Sequence, residues 1–201
     1  MCGRFLFLSD EDYNEINSFI DQVSEKYDPA QVAKGDAFPT NFITVIYSHG
    51  GMRIQSAAKW GFPNPKSGVV INARAESLAE KPMFKNAFSS KRCLVPANGY
   101  YEWLAQEDRK KIKYLIKVRE KKLFYMAGLY NIFADGEGNT SAAVTIITTQ
   151  ANPDISFIHS RMPVILKEET AGCWLEADNE PGRLEGLLVP YTAGELVNNA
   201  V

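Results

Sequence analysis

An apolar, β-branched run at 42–48 and a second strand-like run at 52–58 face each other across His49-Gly50-Gly51, and this commits the early part of the chain to antiparallel sheet. Successive glycines supply the positive φ that a tight hairpin turn demands. A run at 143–149 has the same β-branched character. Runs at 112–118 and 123–130, separated by Arg119-Glu120-Lys121-Lys122, read as a second hairpin. Helical spacing occurs near the start, where Ser9 and Asp12 resemble a helix N-terminus. Tyr13, Ile16, Phe19, Ile20 and Val23 then recur with that period until Tyr27-Asp28-Pro29. The tail at 168–174 and 192–199 is also expected to be helical. Without repeats or Pro/Gly/Ser linkers, 1–201 is expected to form one domain. The expected class is α+β, mainly antiparallel strands closed into a barrel-like sheet with peripheral helices.

Charge narrows the function classes. The chain has 201 residues, 45% of them hydrophobic, with 22 Lys and Arg against 24 Asp and Glu. It can bury a core but cannot coat a polyanion by bulk electrostatics. The charges are segregated: eight acids face three bases in residues 1–40, and seven face two in residues 167–201. Sixteen bases face six acids between Arg53 and Lys122. Any contact with nucleic acid must be focused on that middle segment. Its densest stretch, RKKIKYLIKVREKK at 109–122, is expected to be a hairpin edge whose lysines discourage further pairing. No stretch reaches the roughly 18–20 apolar residues of a membrane span, and the N-terminus has no basic region followed by an apolar one. A cytoplasmic protein without membrane partners is expected. Three cysteines, no CxxC spacing and two histidines argue against a disulfide framework or a metal centre, so no metal or cofactor is expected.

The second residue is the most informative for chemistry. Cysteine is small, so Met1 is expected to be removed, leaving Cys2 as a 1,2-aminothiol. Its amine and thiol have reference pKa values near 8 and 8.5, so both lie close to their reactive forms at neutral pH. Such a group can attack an acyl carbon with its own amine as base. Alternatively it can capture an aldehyde, first as an imine and then as a thiazolidine. Gly3 permits close approach beside it, and Arg4 offers a fork for a phosphate or carboxylate. Asn72 offers an orienting amide. Glu102, between Tyr101 and Trp103, would have its pKa raised into the general-acid range by desolvation, and His159 precedes the cationic Arg161. Nucleophile, carboxylate and imidazole together form the inventory of an active site.

Four blocks in order, CGRF at 2–5, INARAES at 71–77, NGYYEW at 98–103 and IHSRMP at 158–163, resemble the SOS response associated peptidase (SRAP) family. Pro39-Thr40, Trp60-Gly61 and Met83-Phe84 fall where that family has similar residues. Gly35-Asp36-Ala37-Phe38-Pro39 departs from it, since many members carry an asparagine before the proline. The resemblance implies covalent trapping of abasic sites in single-stranded DNA by Cys2, with Asn72, Glu102 and His159 as further catalytic residues. It implies DNA contacts by Arg4, Trp60, Arg74, Trp103, Thr148 and Arg161, weak lyase activity, a monomer, and association with the nucleoid when bound. Removal of Met1, whether self-catalysed or by the housekeeping aminopeptidase, exposes Cys2 either way. Two alternatives remain at this level. The first is an N-terminal-cysteine amidohydrolase or glutamine amidotransferase, for which Asn98-Gly99 would build an oxyanion hole. The second is a non-catalytic single-strand DNA-binding module.

Overall fold

The computed structural model describes residues 2–7, 12–25, 27–66, 68–107, 109–134, 136–176 and 181–201. In chain order the elements begin with β1 (Phe5–Phe7), α1 (Asp12–Phe19), β2 (Gln22–Val23), β3 (Gly35–Ala37), β4 (Phe42–His49) and β5 (Met52–Trp60). There follow β6 (Phe62–Asn64), β7 (Gly68–Val70), β8 (Asn72–Arg74), α2 (Pro82–Ser90), β9 (Arg92–Ala97) and β10 (Gly99–Ala105). The remainder comprises β11 (Lys111–Val118), β12 (Phe124–Ala134), β13 (Thr140–Gln150), β14 (Arg161–Pro163), β15 (Ile165–Leu166), α3 (Glu168–Leu175), α4 (Pro181–Gly186) and β16 (Leu196–Ala200).

β13, β12, β9, β4 and β5 are neighbours in that order, and β13 also pairs with β5, so the five strands close into a barrel. The closing seam is parallel, with Val144 opposite Trp60, whereas the other four pairings are antiparallel. A second sheet runs β16-β11-β10-β1-β3. Trp60 is fully buried at the seam, its ring 5.2 Å from that of Phe5 and its indole N–H donated to the Ile71 carbonyl at 3.0 Å. The turn after it depends on Gly61, whose φ is +121° and whose N–H reaches the Val144 carbonyl at 2.8 Å. A Cβ there would lie 2.8 Å from the Val69 Cβ. Gly61→Ala is expected to cost about 1–3 kcal/mol, read as a lower midpoint in denaturant.

The β4–β5 hairpin forms as expected, with Gly50 and Gly51 at φ 59° and 80° and His49 opposite Met52. The mixed α+β, barrel-closed architecture is also as expected, and 168–174 falls within α3. Three local expectations are corrected. α1 stops at Phe19, because Asp21 and Ser24 donate their N–H groups to the Arg53 and Gln55 carbonyls, which lays 22–23 beside β5 as strand. The expected start at Ser9 lies outside the described residues. β11 and β12 do not form a hairpin: Glu120 turns with φ 59°, and the chain passes from one sheet to the other. Nor is β11 an edge, since 196–200 is strand rather than helix and pairs along it, Leu196 opposite Val118. That last strand is held by Asp154, whose carboxylate accepts the Gly194 N–H at 2.9 Å and the Leu196 N–H at 3.1 Å. In return, Asn198 Nδ2 donates to the Asp154 carbonyl at 3.1 Å.

Candidate active site

β10 brings the site's carboxyl group inward. Alternation along the strand puts Tyr100 and Glu102 on one face and Tyr101 and Trp103 on the other. Glu102 is 2% exposed, and burial pushes its carboxyl up, against the pull of His159. Cys2 is fully enclosed, and burial likewise pushes its thiol up, with Glu102 adding to the effect. β8, laid parallel to β13 with Asn72 opposite Ile146, carries Asn72 to this point. Its Nδ2 donates to the Cys2 carbonyl at 2.9 Å, and its buried Oδ1 has no hydrogen-bond partner among the described residues.

His159 follows a tight turn in which its own N–H bonds to the Ile155 carbonyl. Its Nδ1 lies 2.9 Å from the Arg161 backbone nitrogen and 3.2 Å from the Arg161 carbonyl oxygen, so the backbone of Arg161 fixes the ring's orientation. The structure thus gathers Cys2, Asn72, Glu102 and His159 from four separate segments. Sequence reasoning missed Tyr100, which is fully buried with a hydroxyl that lacks a partner among the described residues. Burial pushes its phenol up, and the charges of Cys2, Glu102 and Asp154 add to this. Its place two residues before Glu102, on the same face, was the available signal.

The residues expected to contact DNA separate into two groups. Arg4 lies 4.3 Å from the Phe38 ring centre and 5.4 Å from that of Trp103, with Asp36 at 3.7 Å. Arg74, at the end of β8, is exposed. Arg161 is engaged by both oxygens of Glu76, at 2.7 and 3.0 Å, and by the Thr148 carbonyl at 2.6 Å. The Arg161 bonds pull the Glu76 carboxyl down from its ordinary value. Thr148 is fully buried, with its hydroxyl 3.4 Å from the Ala73 carbonyl, so it positions Arg161 from beneath. Trp60 is enclosed by the core and presents no face for a base. Among the described residues, no cluster of three His, Cys, Asp or Glu is placed to hold a metal ion. None of their helices is long and apolar enough to cross a membrane.

The arrangement can perform covalent capture of an electrophile. A nucleophile-bearing residue is fixed through its carbonyl, burial pushes the pKa of a neighbouring carboxyl up, and an imidazole acts electrostatically on that carboxyl. The pattern of the family described as SOS response associated peptidase (SRAP) matches residues 1–201. The "Abasic site processing protein YoqW" of Bacillus subtilis (strain 168) is 39% identical over 206 residues, covering 98% of this chain and 90% of that protein. The "Abasic site processing protein YedK" of Escherichia coli (strain K12) is 25% identical, covering 89% and 81%. A crystal structure of a protein from Bacteroides thetaiotaomicron superposes with a TM-score of 0.83 at 24% identity, covering all of this chain and 92% of that one.

Proposed function

This chain belongs to the SOS response associated peptidase family, and from that premise we propose that it captures abasic sites in single-stranded DNA through Cys2. The ring-opened abasic sugar is an aldehyde. The freed α-amine of Cys2 adds to its C1, water leaves the carbinolamine, and an imine results. The thiol then adds across the C=N bond: sulfur bonds to C1, its proton passes to nitrogen, and a thiazolidine closes. One water is released overall, with no oxidant or reductant. Glu102 supplies the proton for ring opening and for the departing hydroxyl, and His159 assists ring opening and reversal of the adduct. Asn72 holds Cys2 by its carbonyl. If the thiol step is blocked, the imine permits β-elimination, a weak lyase activity.

The observation that carries this reading is the bond from Asn72 Nδ2 to the Cys2 carbonyl beside a buried Glu102, whose carboxyl burial pushes up. Arg4 and Arg74 grip phosphates flanking the lesion, and Trp103 stacks on a base. Single-stranded DNA is the favoured substrate, because no base stacking opposes extrusion of the sugar, and the protein acts as a monomer. Incubation with an abasic oligonucleotide followed by denaturing electrophoresis is the test, and a retarded band that survives denaturation is expected. Glutamine hydrolysis without that band would favour the amidohydrolase, and salt-sensitive binding alone the non-catalytic module.

Glu102 sets a pH dependence. Its raised pKa means that the folded protein holds more protons than the unfolded chain between the ordinary value of 4.5 and the raised one. Stability therefore falls as pH rises across that window, and the general acid is lost as pH passes the raised value. The capture rate should decline on that alkaline limb. Glu102→Gln is expected to be about 100-fold slower and to lack the limb, as measured in single-turnover rates against pH.

A further inference from the structure

The outer face of the second sheet carries a carboxylate that three donors or cations converge on. Asp36 on β3 accepts the Tyr101 hydroxyl at 2.8 Å and faces Arg4 Nη1 at 3.7 Å and Lys113 Nζ at 4.0 Å. Lys113 also lies 3.9 Å from the centre of the Tyr101 ring. The Phe38 and Trp103 rings near the Arg4 guanidinium restrict its orientation. The hydrogen bond fixes Asp36, whereas the distance to Arg4 is that of an ion pair without a hydrogen bond. The buried Nε of Arg4 has no acceptor among the described residues. The fork is therefore aimed, incompletely satisfied and loosely neutralised. This is the arrangement expected of a cation whose better partner is a stronger anion.

We infer that Asp36 is a built-in stand-in for a DNA phosphate, seated beside Arg4 and Lys113, which an incoming strand displaces and which thereby limits the affinity of the protein for undamaged DNA. The inference rests on the reading of Arg4 as a phosphate-gripping residue. A displaced Asp36 keeps its bond from Tyr101, so the carboxylate remains close and repels the arriving phosphate. Residence on intact strands is shortened, and lasting attachment is reserved for the covalent step.

The test measures binding of a labelled, intact single strand by fluorescence anisotropy over a range of salt concentrations. Asp36→Asn keeps the shape and an acceptor for Tyr101 while removing the charge. It should bind about two- to fivefold more tightly at low salt, the range set by partly exposed ion pairs. Its plot of log affinity against log salt should steepen by about 0.7, the increment for one more phosphate contact on a single strand. Glu169→Gln, a charge-matched change at an exposed position, should leave both unchanged. In an Arg4→Ala background the gain from Asp36→Asn should shrink. Equal gains for Asp36→Asn and Glu169→Gln, or an undiminished gain without Arg4, would overturn the inference in favour of general charge repulsion. Normal binding with an unaltered Asp36→Asn would overturn it while leaving the capture reading intact. If no form binds single strands, the DNA reading and this inference fall together.

Discussion

Cys2→Ser is expected to leave no adduct that withstands denaturing electrophoresis, while strand cleavage at the abasic site should persist at a low rate. Serine retains the α-amine, so imine formation and β-elimination stay open. Its hydroxyl is a far poorer nucleophile than the thiol, and the ring that traps the imine does not close durably. Burial raises the thiol's pKa, so in the proposed reaction it adds as S–H and its proton passes to the imine nitrogen. A form carrying an extra residue before Cys2 separates amine from thiol and should lose both adduct and cleavage. The two variants thus fail differently, which distinguishes the imine from the ring. An adduct of normal yield from the extended form would sink the mechanism, and a thermal scan of each variant checks that loss of the band is not loss of fold.

The largest effect on stability is expected at Arg92, far from this chemistry. Its side chain is enclosed and donates to the Trp174 carbonyl at 2.8 Å, the Phe88 carbonyl at 2.9 Å, the Ser89 carbonyl at 2.6 Å and the Glu176 carbonyl. These carbonyls lie at the C-terminal ends of α2 and α3, where helices leave acceptors unsatisfied and carry partial negative charge. One guanidinium at the start of β9 therefore caps two helices against the barrel. Arg92→Met preserves much of the bulk but strands the buried Phe88 and Trp174 carbonyls without a donor. A loss of about 3–5 kcal/mol is expected, since each buried unsatisfied acceptor costs on the order of 1–3 kcal/mol and relaxation recovers part of it. Denaturant unfolding reads this directly, and a change under 1 kcal/mol would show that the helix ends find other donors.

What was legible in the sequence follows the range of the interactions involved. The hairpin at Gly50-Gly51 was legible because both strands and the turn lie within one short segment. The partner of β11 was not, because β16 lies about eighty positions away and its polar, asparagine-containing sequence does not announce a strand. Val23 fitted a helical period, but hydrogen bonds to the neighbouring β5 outcompeted it. At the site, residue chemistry and the family resemblance singled out Cys2, Asn72, Glu102 and His159, because reactive groups are visible as letters. Burial is not: Trp60 and Thr148 are enclosed rather than presented to a strand. Tyr100 went unremarked, and Asp36 was noted only within a departure from the family pattern, because their significance lies in neighbours from other strands.

The bond from Asp154 to the final strand has a mechanical consequence. Asp154 and Asn152 belong to the same tight turn as His159, and Asn152 in addition donates to the Tyr191 carbonyl at 3.0 Å. The turn that carries the imidazole is therefore pinned to the final segment of the chain by side-chain and backbone hydrogen bonds. The last strand thus braces, from outside the candidate site, the turn on which His159 stands.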